Sequence, residues 1–269
     1  MRPSTDTIAA PPLPARAEWV NSPPLAMHEL RGRAVLIEFW DFCRPNSLRT
    51  LPYVKAWDER YRGAGLAVIG AHCPGFRASA NERNAREAVE RLGVAYPVLL
   101  DTNFGLWQEY ENAGWPARYL WNGDGLLVDY YLGEGGYSET ELAIQKLIGV
   151  EQDPLAALRA EAAPGALLVV PSEDRLEAPW SGPYQAGGVW AVLEPRRRGR
   201  AGTVRANHHE LAVEHAGAFL LIEHERHEHG ELSLELGDNV RCDALCFTPG
   251  LADPQDCQTA RGRGVPHAR

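Results

Sequence analysis

The stretch 33–52, RAVLIEFWDFCRPNSLRTLP, constrains the fold of this chain more than any other. Its first part, AVLIEFW at 34–40, is a short run rich in apolar residues, the mark of a buried strand. A turn, DFCRPNS, follows. After it Leu48, Leu51, Val54, Trp57 and Tyr61 recur at helical spacing, which predicts a helix over 46–61. Strand, turn with a cysteine, then helix sets a thiol beside the unpaired N–H groups and positive end of a helix, a setting that favours thiolate. Pro52 removes one backbone bond inside that helix and predicts a kink.

Residues 1–15 are Pro- and Ala-rich and read as an extended arm. Gly63 to Gly65 close the first helix, and LAVIGA at 66–71 reads as a second buried strand. A helix follows over 80–92, with Ala85, Val89 and Leu92 inward. YPVLLD at 96–101 is a strand and 104–111 a short helix. Trp115-Pro116-Ala117 leads into a strand, RYLW, and Asn122 to Gly125 form a hairpin turn into a strand at 126–132. Ser138-x-x-Glu141 has the form of a capping box opening a last helix, ended by Gly149. Beyond it, DPLAALRAEA reads as a short helix within Pro/Gly-rich connecting sequence. From Val189 the apolar period becomes two, in short runs separated by Gly, Asn-His and Gly-Asp turns, as in an antiparallel β-sandwich. The tail after Pro254 reads as disordered.

The pattern around the cysteine resembles the TlpA/DipZ-type thioredoxin-like (redoxin) family, whose signature reads F-W-x-x-x-C-x-x-C-L-R-T-L-P. Phe39, Trp40 and the run Leu48-Arg49-Thr50-Leu51-Pro52 match it, while the two family cysteine positions hold Arg44 and Ser47. Cys43 stands one residue earlier, and His72-Cys73-Pro74 occupies a place where relatives carry His-Thr-Pro. The resemblance implies that Trp115-Pro116 is the family's cis-proline loop, packed against the cysteine turn. It also implies an α/β thioredoxin-like domain at 16–150, a linker at 151–180 and an all-β, jelly-roll-like sandwich at 181–254.

At 269 residues the chain is long enough for one large or two ordinary domains, and 45% hydrophobic and 23% charged residues is the composition of a soluble globular protein. A formal charge of −9 argues against nucleic acid or an anionic membrane surface as partner. The first residues contain no apolar signal-peptide region and no later stretch is long enough to span a membrane, so a cytoplasmic location is expected. Five cysteines do not read as a disulfide framework.

Three sets of residues could carry chemistry. Cys43 precedes a helix start and adjoins Arg44, which favours thiolate, while Asp41 opposes it. Cys73 follows the neighbouring strand, so both cysteines are expected at one sheet edge, where open α/β sheets bind ligands. Together they suggest a relocated redox pair or, with His72, a thiolate–imidazole site for a soft metal; the alternative is two inert packed thiols. The third set is His208, His209, His215, His224, His227, His229, Cys242 and Cys246, with no zinc-finger or HExxH spacing; exposed imidazoles on edge strands are its simpler explanation.

A peroxiredoxin would need Thr or Ser three residues before its cysteine and Pro seven before; Trp40 and Leu36 stand there. Gly133-Glu134-Gly135-Gly136 lacks the Lys-Ser/Thr of a phosphate loop. The first expectation is therefore a thiol-dependent oxidoreductase with Cys43 as nucleophile and Cys73 as resolving thiol. Trp40, Arg44, His72, Trp115 and Pro116 would shape a cleft for a small-molecule or thiol substrate. A metal-thiolate protein and a non-catalytic binding module are the rivals. The sequence specifies no cofactor, and an oligomer is compatible with it.

Overall fold

Strand β2 (Ala34–Trp40) is buried at all seven positions, as an apolar run enclosed on both faces of a sheet must be. Helix α1 (Pro45–Tyr61) carries the chain back to strand β3 (Leu66–His72), and Gly65, at φ 106°, ends the turn between them. Such a crossover is what a parallel strand pair requires, and β2 and β3 are indeed parallel, with Trp40 opposite His72 at their C-terminal ends. These elements belong to a computed structural model that describes residues 7–253. The chain divides into two compact units between Leu155 and Ala156.

In the first unit α2 (Glu82–Arg91) leads to β4 (Val98–Leu100), parallel to β3. The short helix α3 (Gly105–Glu109) precedes β5 (Ala117–Trp121) and β6 (Leu127–Leu132), an antiparallel hairpin joined to β2. Strand β1 (Glu18–Val20) closes the other side, giving the order β1-β4-β3-β2-β5-β6. Helix α4 (Tyr137–Ile148) ends at Gly149. The element order and the central parallel pair agree with the thioredoxin-like expectation. Residues 8–13 of the expected arm are attached to this unit: Ala9 bridges to Leu126, and Leu13 is buried in the core.

The pleat of β2 divides the sheet into two environments. Val35, Ile37 and Phe39 join a core with Ile69, Ala71, Cys73, Leu106, Ala117 and Tyr119. Alternate positions, Glu38 among them, do not belong to that cluster. Helix α1 runs through Pro52 as one continuous element.

Two local expectations need correction. Helix α4 has Gly136 as its N-cap and no side-chain cap. Glu141 is turned inward, accepting from Trp57 Nε1 at 3.0 Å, Tyr61 OH at 2.6 Å, Arg60 at 2.6 Å and the Leu155 N–H at 2.8 Å. Four donors in a buried setting outweigh one capping bond at the helix end. The expected helix DPLAALRAEA is only a 3₁₀ turn at Ala160–Ala162. A ten-residue helix is marginal by itself, and here Asp153 and Leu155 are already engaged by Arg60 and Glu141.

The second unit is mostly strand: β7 (Leu168–Val169), β8 (Gly182–Pro195), β9 (Gly202–Ala206), β10 (His209–Val213), β11 (Gly217–Leu232), β12 (Leu234–Leu236), β13 (Val240–Thr248) and β14 (Gly250–Leu251). They form antiparallel sheets of order β11-β8-β13 and β10-β9-β12, with β14 paired to β7. Val189, Ala191 and Leu193 of β8 share one apolar core with Val204, Ala206, Val213 and Leu234. Part of the expected linker belongs to this unit, since Leu168–Val169 pairs with Gly250–Leu251 and Arg175 bridges to Leu245. The tail beyond 253, with Cys257, lies outside the described residues. Among the described residues no helix is long and apolar enough to cross a membrane.

Candidate functional site

The backbone geometry expected at the edge of the sheet is present. Trp40 and His72 are register partners, and the Cys73 N–H donates to the Trp40 carbonyl at 3.0 Å, so the loops after β2 and β3 start side by side. What joins them is Asp41. Its Oδ1 accepts the Cys43 N–H at 2.8 Å, and its Oδ2 accepts the Gly75 N–H at 2.7 Å and the Ser79 hydroxyl at 3.0 Å. The Asp41 N–H donates to Ser47 Oγ at 3.2 Å, so a hydroxyl at the second family cysteine position holds the start of the turn. Backbone donors withdrawn from water must find acceptors, and one fully buried carboxylate here serves two of them, one buried and one part-buried.

Arg44, at the first family cysteine position, is the N-cap residue of α1. Its guanidinium carbon lies 4.5 Å from the Phe76 ring centre and 4.7 Å from that of Trp115, a cation–π sandwich across the mouth of the loops. Gly75 makes room for it: a Cβ there would come within 2.9 Å of Arg44 Nε and 3.0 Å of Asp41 Oδ2. The Trp115–Pro116 peptide is cis. The Trp115 indole N–H donates to the Cys73 carbonyl at 2.9 Å, which ties this loop to the one after β3. Arg44 and Trp115 are half-buried and pack on one another, and Pro116 is buried.

The structure places the other expected cleft residues in the interior. Trp40 and His72 are both 0% exposed. The His72 ring stacks on Phe42 at 5.3 Å and meets Trp40 edge-on at 5.5 Å, with Nε2 3.6 Å from Asp41 Oδ1. Trp40 lies against Gly70, where a Cβ would be 2.9 Å from its Nε1. Residues at the last strand position point along the pleat into the layer between sheet and helix, not out over the edge.

Cys43 and Cys73 are also 0% exposed, and the four described cysteines form no disulfide. Cys73 belongs to the core that contains Phe39 and Ala71, and its thiol donates to Asp101 Oδ2 at 3.4 Å. Asp101 also accepts the N–H groups of Leu106 and Trp107, at 3.1 and 2.8 Å. Burial, then the charge of Asp101 and the bond to it, push the Cys73 pKa well above the ordinary thiol value, with Asp41 adding to the effect. Cys43 is coupled electrostatically to Arg91, whose pKa burial lowers and the Cys43 charge acts to raise. Among the described residues no group of three or more His, Cys, Asp or Glu side chains is arranged to hold a metal, so Cys43, Cys73 and His72 do not make one.

Three features escaped the sequence reading. Asp41 was visible only as a charge opposing thiolate. Asp101 stood at the end of an ordinary strand. Glu38 is the acid inside an apolar strand, and that mismatch was the available signal. It faces Arg118 across the β2–β5 pair, and the Tyr96 hydroxyl lies 3.4 Å from its Oε2. Burial raises the Glu38 pKa to about 8 against the lowering effects of Arg118 and Tyr96.

The C-terminal histidines separate into unlike settings. His209 lies on β10, His208 in the turn before it, and His215 stacks on Phe219. Cys242 and Cys246 are buried on β13. His224, His227 and His229 lie close together on β11. Burial, then the adjacent His229 and His224, hold the His227 pKa below its ordinary value.

No family model matches the chain. Over 142 residues it is 37% identical to protein DipZ of Mycobacterium bovis, a match that covers 52% of this chain and 20% of DipZ. Over 138 residues it is 21% identical to the thiol-disulfide oxidoreductase YkuV of Bacillus subtilis, covering 51% of this chain and 93% of that protein. Among solved structures, a thiol-disulfide isomerase from Corynebacterium glutamicum aligns with a TM-score of 0.46 and 20% identity, over 53% of this chain and 98% of the other. The chain thus spans about a fifth of the length of DipZ. With its strand order and the FW…LRTLP turn, it is a relative of DipZ and the thiol-disulfide oxidoreductases that carries a thioredoxin-like domain over about half of its length.

Proposed function

We propose that the first unit is a thiol-disulfide oxidoreductase-like domain that engages its substrate in the cleft of Arg44, Phe76 and Trp115 without exchanging a dithiol. In this reading it is a binding module on a thioredoxin scaffold, for a small-molecule or thiol-bearing ligand. The observation that carries it is the state of the two thiols: both are fully buried, and Cys73 is held as a neutral donor to Asp101. A nucleophilic cysteine needs thiolate character and access, and Cys73 has neither. Arg44 and Ser47 have taken up hydrogen-bonding and stacking work where a dithiol would stand. The second unit we read as a β-sandwich, since both of its three-stranded sheets feed one core.

A second reading keeps Cys43 as a single reactive thiol. It is favoured by the electrostatic coupling of Cys43 to Arg91 and by the start of α1, both of which stabilise thiolate. Iodoacetamide labelling of the native chain, mapped peptide by peptide by mass spectrometry, separates the two. The binding-module reading expects Cys43 and Cys73 to be modified only after unfolding. Rapid native labelling of Cys43, slowed by Arg91→Ala, would support the single-thiol reading instead.

A further inference from the structure

We propose that His227 and His229 form a two-imidazole chelate for a borderline divalent transition-metal ion such as Zn2+ or Cu2+. Strand β11 departs from regular pairing here: Glu223 pairs with Gly188 and Glu228 with Ala186, so residues 224–227 bulge opposite Gly187 alone. The bulge is fixed by close approach to glycine, since a Cβ on Gly250 would lie 2.6 Å from the His227 backbone nitrogen. Arg226 fastens the same segment by donating to the Ala252 carbonyl at 2.7 Å. Bulges re-aim side chains in this way.

The consequence is an imidazole with both ring nitrogens buried and neither hydrogen-bonded. A buried polar atom without a partner needs a reason, and a metal ligand is one. His224 is already engaged, with Nε2 2.9 Å from the Tyr184 hydroxyl and Nδ1 3.2 Å from Glu228 Oε2. His229 is exposed, and its ring stands perpendicular to that of His227 with centroids 6.2 Å apart. Two imidazoles bound to one ion at Zn–N distances have centroids at most about 6.3 Å apart, and about 5 Å at a tetrahedral angle. Rotation of the exposed His229 side chain supplies the difference of about 1 Å, and a turn of the half-buried His227 ring brings one of its nitrogens to the ion. The remaining positions on the ion face solvent and take water.

The test uses the full, untagged chain. It is titrated with Zn2+ in competition with a chromophoric chelator, and with Cu2+ followed by electron paramagnetic resonance. The expected Cu2+ spectrum shows coupling to two imidazole nitrogens. His229→Ala should reduce this to one and weaken both ions at least about tenfold. A His208→Ala/His209→Ala double variant should leave spectrum and affinity unchanged. His227→Ala should match His229→Ala, with circular dichroism checking its fold; if it does not fold, the exposed His229 variant decides alone. Binding that His229→Ala leaves intact, binding lost equally in the 208/209 variant, or the absence of binding would overturn the proposal.

Discussion

Replacing Asp41 with alanine is expected to destabilise the first unit by roughly 3–5 kcal/mol. The side chain is fully buried and accepts the N–H groups of Cys43 and Gly75 and the hydroxyl of Ser79. Its removal leaves the buried Cys43 donor, the part-buried Gly75 donor and the Ser79 hydroxyl without this acceptor, a buried donor alone costing about 1–3 kcal/mol. The loops after β2 and β3 lose the group that joins them, so Arg44 and Trp115 lose their common frame. Asp41→Asn retains one acceptor oxygen and should cost about half as much. Denaturant titration read by hydrogen exchange in peptides from β2 and β3 measures both. A loss below about 1 kcal/mol for the alanine variant would mean that Asp41 does not organise the site.

Glu38 should make the stability of the same unit fall as pH rises. Its folded pKa of about 8 lies above the ordinary 4.5, so between those values the folded state holds a proton that the unfolded state has released. Stability from this group is complete below about pH 4.5 and lost as pH passes through 8. The full span is roughly 4–5 kcal/mol at 1.36 kcal/mol per pKa unit. Glu38→Gln keeps the shape without the charge. The variant should match the parent chain near pH 5 and exceed it by roughly 3 kcal/mol or more at pH 9, in parallel denaturant titrations. If Glu38→Gln is the less stable at pH 9, Glu38 and Arg118 form a charged pair in the folded chain, and burial does not dominate.

Much of this was legible in residues 33–52. Seven consecutive buried positions followed by helical spacing leave little choice but strand and crossover helix, and both lie within a residue of their expected bounds. The cleft was harder to read because chain connectivity gives the position of a backbone but not the direction of its side chains. The parallel register brings Trp40 and His72 together, and from that pairing alone Cys43 and Cys73 are expected in one accessible cleft, whereas both are buried. The pleat then sends Cys73 into the core with Ala71 and Phe39, while Cys43 lies beyond a turn whose course depends on Asp41. Glu141 taught the same lesson. Its spacing from Ser138 fits a capping box, yet three of the four donors that claim it come from α1, some 80 residues earlier. Spacing records local options, and long-range partners choose among them.

The most direct test is reduction of insulin disulfides by the full chain carrying Cys257→Ser, with dithiothreitol as electron donor. The binding-module account requires turnover no faster than dithiothreitol alone, unchanged in Cys43→Ser and Cys73→Ser, because no accessible thiol pair exists to form and resolve a mixed disulfide. Turnover well above that baseline, abolished by Cys43→Ser or Cys73→Ser, would contradict it and restore a working thiol to the cleft.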